Sequence, residues 1–184
     1  MIKKKIQEIL AEVGNVLQKV DESQVDELVR KILAARKIVV CGAGRVGMAT
    51  RGFGMRLGHL GLQAYTLGDS VVPSISAGDL FLVSSGSGET QTIYDLVEIA
   101  KKNGATVVLV TGNPESRMGK LANTIVEIKA PSKTKSVEGF VSIQPMTTLN
   151  EQCLGIFYDA VVLELMEKMN ESHDTMWARH SNLE

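Results

Sequence analysis

Residues 83 to 93 read VSSGSGETQTI, an apolar run that stops in a cluster of hydroxyls and glycines. Ser85, Ser87 and Thr90 can each donate an O–H bond, and Gly86 and Gly88 let a ligand come close to the backbone. If a helix starts here, its N-terminal N–H groups and dipole favour an anion. A phosphate held by neutral donors is the chemistry this pattern suits best. A second glycine loop, CGAGRVG, carries GxGxxG at Gly42, Gly44 and Gly47. Taken alone it also fits a dinucleotide site, with Asp69 about 20 residues on as a ribose acid.

Further candidates lie near the C-terminus. Glu151 sits in QPMTTLNEQCLGIFYDAVVLELM, where no Lys or Arg occurs between Phe140 and Met166. An apolar setting disfavours a carboxylate, so a raised pKa and a role as general base are expected. His180 in the terminal WARHSNLE and His59 in RLGHLG can move protons near neutral pH. His173 reads as a surface group. Arg45 is the expected cation beside the ligand, and Glu89 is expected to turn away from it. The histidines and the two cysteines, Cys41 and Cys153, have no metal-ligand spacing, so no metal is expected.

These residues need a scaffold. Apolar runs at 37–42, 63–68, 79–85, 105–112 and 123–129 are continuous rather than alternating, as in strands buried on both faces. Helical segments at 46–60, 89–103 and 116–121 separate most of them, giving an α/β fold, a three-layer sandwich around a parallel sheet. The order 2-1-3-4-5 makes strands one and three neighbours at the switch point, so both glycine loops would wall one cleft. Two amphipathic helices within residues 1 to 35 form an arm before the core of 36 to 170. A polar loop spans 130 to 145, a helix runs from 146 to 170, and a polar tail covers 171 to 184. Methionines 48, 55, 146, 166 and 169 read as core or interface filler.

With 184 residues the chain reads as one domain. Lys+Arg 20 against Asp+Glu 21 gives a net charge of -1, with no overall field for nucleic acid or an anionic membrane. Lys3, Lys4 and Lys5 read as a solvated helix end. The cysteines read as buried hydrophobes in a reducing compartment, and the absence of a signal or spanning pattern makes a cytoplasmic location the expectation.

SSGSGET resembles the phosphosugar loop of the sugar isomerase (SIS) domain, and CGAGRVG its first glycine loop. More specifically, GAGRVGMATRGFGMRLGHLG, GDSVVPSISAGDL, SSGSGET, QPMTTLNEQ and RHSNLE stand in the order found in the 6-phospho-3-hexuloisomerase family. The resemblance runs from about residue 40 to the last residue. It implies a five-stranded parallel sheet between helices, a homo-oligomer (a dimer or, as is usual there, a tetramer), and a sugar phosphate as ligand. It also implies interconversion of D-arabino-3-hexulose 6-phosphate and fructose 6-phosphate, in formaldehyde fixation or pentose supply, with no cofactor. Gly44, Arg45, Ser85, Gly86, Ser87, Gly88 and Thr90 would bind substrate. Glu151, His180 and His59 would be catalytic, with the tail folding over a site, its own or a neighbour's. Two positions depart from the family pattern. Val46 replaces a common Ser, which leaves Arg45 and backbone N–H groups to serve alone. Asn150 replaces a common aromatic, so altered packing is expected there with the acid retained. A phosphosugar sensor without catalysis, and a dinucleotide-binding protein, are the competing readings.

Overall fold

A computed structural model of the chain describes residues 1–132 and 141–183. Five strands, β1 (Ile38–Gly42), β2 (Ala64–Thr66), β3 (Leu80–Ser84), β4 (Thr106–Thr111) and β5 (Thr124–Glu127), form one parallel sheet in the order β2-β1-β3-β4-β5. Its central strands β1, β3 and β4 bury both faces, which explains their continuous apolar sequence. Ile38, Val40, Leu80, Leu82, Val108 and Val110 face one core cluster; Val39, Cys41, Phe81, Val83, Val107 and Leu109 face the other.

The first cluster is covered by α1 (Ile2–Leu17), α2 (Glu22–Ala34), α3 (Gly44–His59) and α6 (Thr148–Met169). The second is covered by α4 (Gln91–Lys102) and the short α5 (Arg117–Leu121). The chain therefore has the three-layer α/β sandwich and strand order that the sequence predicts. The tail differs: residues His173–Trp177 form a helix, α7, where a polar tail is expected. A reciprocal cap between Ser172 and Thr175 starts it. Among the described residues, no helix is long and apolar enough to cross a membrane. Residues 133–140 of the expected polar loop lie outside the described residues.

Below the sheet, at the end away from the switch point, Asp79 is fully buried ahead of β3. Its Oδ2 accepts from the Ser76 N–H (2.8 Å) and hydroxyl (3.1 Å) and meets Lys37 Nζ at 3.3 Å. Its Oδ1 forms an ion pair with Arg36 at 3.3 Å. Burial pushes this carboxyl up, but the Ser76 and Lys37 contacts outweigh it and hold the pKa below its ordinary value.

Candidate active site

The switch point lies between β1 and β3, where Gly42 and Ser84 stand opposite each other at the upper ends of their strands. A cleft of about 380 Å³ opens there. The turn at 43–46, the loop at 84–90 and the start of α6 wall it. Gly47 packs so closely on β1 that a Cβ would overlap the Gly42 carbonyl, so this glycine serves helix–strand contact.

The loop 84–90 holds itself in shape. Ser85 Oγ accepts from the Gly88 N–H at 3.1 Å, and Ser87 Oγ accepts from the Glu89 N–H at 3.2 Å. Gly88 has φ +65°, and a Cβ there would collide with the Ser116 side chain. Thr90 is the N-cap of α4, yet its hydroxyl makes no capping bond. Helix α4 begins at Gln91, two residues later than the sequence suggests, so the loop is longer and wraps further. Glu89 turns away as expected. Its carboxylate accepts from Arg117 Nε (2.7 Å) and from the Arg117 N–H (2.9 Å) at the start of α5. The guanidinium holds this carboxyl below its ordinary value and also lies 4.6 Å from the Tyr94 ring centroid. The acid is thereby neutralised away from the cradle. Ser87→Ala is expected to weaken phosphosugar binding about tenfold, or ~1–2 kcal/mol for a hydrogen bond to a charged group, as read by titration calorimetry.

Across the cleft stands Glu151, in the first turn of α6 with its side chain 14% exposed. Its carboxylate accepts from the Thr147 hydroxyl at 2.8 Å and pairs with Arg45 Nη1 at 3.0 Å. The wholly apolar setting expected around Glu151 is not found. Arg45 comes from α3, 106 positions earlier, and a local window of sequence cannot reveal it. Arg45 also donates to Thr148 Oγ1 at 3.3 Å. Buried Tyr158, stacked on Phe53 with centroids 4.2 Å apart, shares a 2.5 Å hydrogen bond with Ser84 and so fixes α6 to the end of β3.

The lip of the cleft is held from a distance. Met146 has φ +56°, rare for a residue with a side chain. The segment leading to it is gripped by Glu12 of α1. That carboxylate accepts from Ser142 Oγ (2.8 Å), the Ile143 N–H (2.8 Å) and Gln144 Nε2 (3.0 Å). Burial raises this carboxyl, but the Gln144, Ile143 and Ser142 hydrogen bonds dominate and lower it. Nothing in the sequence flags Glu12, whose partners lie 130 positions away.

Seven predicted ligand-binding positions gather here: Gly44, Arg45, Ser85, Gly86, Ser87 and Thr90 line the cleft, and Gly88 shapes its loop. Glu151 joins them. His59 and His180 do not. They are brought to each other instead, with ring centroids 5.2 Å apart, at the far end of α3. Fifteen residues of helix separate Gly44 from His59, roughly 22 Å at 1.5 Å per residue. Arg179 ties the tail down, donating to the His59 carbonyl at 3.0 Å and pairing with Glu171 at 2.9 Å. His180 Nδ1 lies 3.0 Å from the Ser181 carbonyl, an acceptor only, so Nδ1 is the donor of that bond. Asp69 lines a shallow hollow with Arg51, away from the cleft.

The SIS domain family matches residues 31–154. The chain is 40% identical to the 3-hexulose-6-phosphate isomerase of Bacillus subtilis (strain 168) over 179 residues, 97% of each chain. It is 41% identical to that of Mycobacterium gastri over 173 residues, covering 94% of this chain and 86% of the relative. A protein of Methanococcus jannaschii, whose crystal structure is described as inferring a 3-hexulose-6-phosphate isomerase function, superposes with a TM-score of 0.86 at 27% identity, covering 98% of this chain and 99% of that one. Cradle, switch point and full-length likeness agree: the chain belongs to the SIS domain family, in the branch that holds the 3-hexulose-6-phosphate isomerases.

Proposed function

We propose that the protein interconverts D-arabino-3-hexulose 6-phosphate and fructose 6-phosphate as a 6-phospho-3-hexuloisomerase. One observation carries this reading: a carboxylate paired with a guanidinium faces an anion cradle across a single cleft. A cradle alone serves a sensor; a base and a cation opposite it serve proton transfer. The phosphate sits on Ser85, Ser87, Thr90 and the N-terminus of α4, with Gly44, Gly86 and Gly88 giving it room. Glu151 takes the C2 proton, and the C–H electron pair becomes the C2=C3 bond of an enediol. The C3 carbonyl oxygen gains the negative charge, which Arg45 stabilises. A proton then moves from the C2 hydroxyl to the C3 oxygen, and C3 receives the proton held by Glu151, which becomes a carboxylate again. Oxidation of C2 and reduction of C3 cancel within one molecule, so no electrons leave the substrate.

The histidine pair is assigned to the same chemistry, supplied by a second copy. Its distance from the cleft of its own chain, roughly 22 Å along α3, exceeds the length of a hexose phosphate. Association has a surface to use. The stripe of α1 is buried at Val13 and Val16 but bare at Ile2, Ile6 and Leu10, and Met48, Met55, Ile156 and Leu163 are also exposed. Lys3 and Lys5 flank that stripe. A hollow of about 490 Å³ between α2 and α6 offers an apolar floor with Glu22, Asp26 and Glu164 at its margin. This fit supports a homo-oligomer, a dimer or tetramer.

The test of function offers purified protein the 3-hexulose phosphate and follows fructose 6-phosphate. Binding without turnover would leave the sensor. The shared site has its own test. Inactive Glu151→Gln and His180→Ala proteins, mixed and allowed to exchange subunits, are expected to regain up to about a quarter of wild-type activity through hybrid interfaces that hold both intact groups. Sites confined to one chain would recover nothing.

A further inference from the structure

Along α6 the buried positions Leu149, Cys153, Leu154, Phe157, Val161 and Leu165 mark the face turned to the core. Asn150 is on the same face and is 4% exposed. Periodicity asks for an apolar side chain there, and the chain has an amide. No protein hydrogen bond holds that amide among the described residues, yet the buried side-chain atoms left without a partner are Asp79 Oδ1 and Gln152 Oε1, so the Asn150 amide keeps access to the cleft that it lines. Tyr158 and Ser84, nearby and also buried, satisfy each other.

The unpartnered amide is aimed at a defined place. It lines the same cleft as the cradle loop and Glu151. A methyl group added at Gly86 would stand 2.9 Å from Asn150 Oδ1, and one at Gly112 would stand 3.4 Å from Nδ2. The side chain thus touches the cradle loop on one side and the end of β4 on the other. A phosphate could use only half of the amide. A phosphate group offers acceptors alone, whereas an amide presents a donor and an acceptor side by side. A hydroxyl is the group that answers both. Asn150 touches the cradle loop at Gly86 and directly precedes Glu151 on α6, and the carbon chain of a sugar phosphate held by the cradle must run towards that acid.

We infer that Asn150 reads a substrate hydroxyl between the phosphate and the reacting carbons, as a specificity-determining residue of the cleft. The assignment rests on the sugar-phosphate reading of that cleft. It gives the protein discrimination that the cradle lacks, because the cradle recognises any phosphate monoester. It also gives the amide a partner that the protein itself does not supply.

The two roles open to a buried Asn move stability in opposite directions. Asn150→Leu, nearly isosteric, removes an unpaired amide from a core position. If the amide serves substrate, Tm stays level or rises. Fructose 6-phosphate affinity falls by about 10- to 100-fold, and inorganic phosphate affinity stays within about twofold. Calorimetric titration of both ligands and thermal unfolding of both proteins read this without any turnover. Asn150→Ala, which cannot crowd Gly86, is expected to repeat the ligand result. Unchanged fructose 6-phosphate affinity would overturn the proposal. So would equal weakening of both ligands, or a clear loss of Tm, which would mark a packing residue. Failure of the isomerase reading looks different: wild-type protein would bind fructose 6-phosphate through Asn150 yet not turn substrate over.

Discussion

Glu151→Gln is expected to lower kcat by about 10³-fold, within the range for removal of a positioned general base. The amide keeps the shape of the carboxylate and can still accept from Thr147, so helix α6 and the cleft should be undisturbed. Ligand affinity should move in the other direction. In the free protein Arg45 is engaged by Glu151 at 3.0 Å, and the carboxylate repels an incoming phosphate dianion. Loss of that charge frees the guanidinium and removes the repulsion. Fructose 6-phosphate is therefore expected to bind as well as before or up to about tenfold tighter, with the catalytic loss confined to kcat. Steady-state kinetics paired with calorimetry separate the two effects. Undiminished kcat in this variant would remove Glu151 from the role of base.

Asp79→Ala is expected to give the largest loss of stability, about 3 kcal/mol from charge-assisted hydrogen bonds and a buried ion pair with no replacement. For a chain of this length that corresponds to a fall in Tm of about 6–12 °C. Lys37 and Arg36 remain partly solvated, which limits the penalty to less than that of two stranded buried charges. The pH dependence follows from the lowered pKa. Unfolded, the carboxyl titrates near 3.8; folded, it holds its charge to lower pH. Its contribution is complete above pH ~4 and is lost as pH falls through the folded value. Urea melts of wild type should weaken with acid across that window, and Asp79→Asn should weaken less steeply. A flat difference between the two proteins would count against the ion pair as the cause.

The sheet was legible because it obeys local rules. Strands buried on both faces must read as unbroken apolar runs, and glycine-rich loops must end those that meet a ligand. Strand order and switch point followed from that rhythm. Glu151 and the cradle could be named for the same reason, since each lies at the start of a helix. What the sequence hid are pairings across distance. Arg45 with Glu151, Glu12 with the 142–144 segment, and Arg117 with Glu89 join elements whose relative placement only packing decides. Periodicity marks a buried face without saying what lies opposite. For that reason Asn150 looked like an irregularity of packing until its surroundings were visible, and the sequence left open whether the histidines serve their own chain's cleft or a neighbour's, when they lie at the opposite end of α3 from the former. The short α7 went unseen because one capping pair, rather than a repeated stripe, starts it.

The two thiols have a practical consequence. Burial pushes Cys41 up to about 11 and Cys153 up to about 12, and they face opposite core clusters, Cys41 from β1 into the one beneath α4 and Cys153 from α6 into the other. At neutral pH hardly any of either is thiolate, so neither competes with a cysteine introduced on the surface for a dye or cross-linker. Left in place, they become a pair of timers. The rate at which each reacts with an aromatic disulfide reports how often its own layer opens, so the protein carries a separate clock for each side of its sheet.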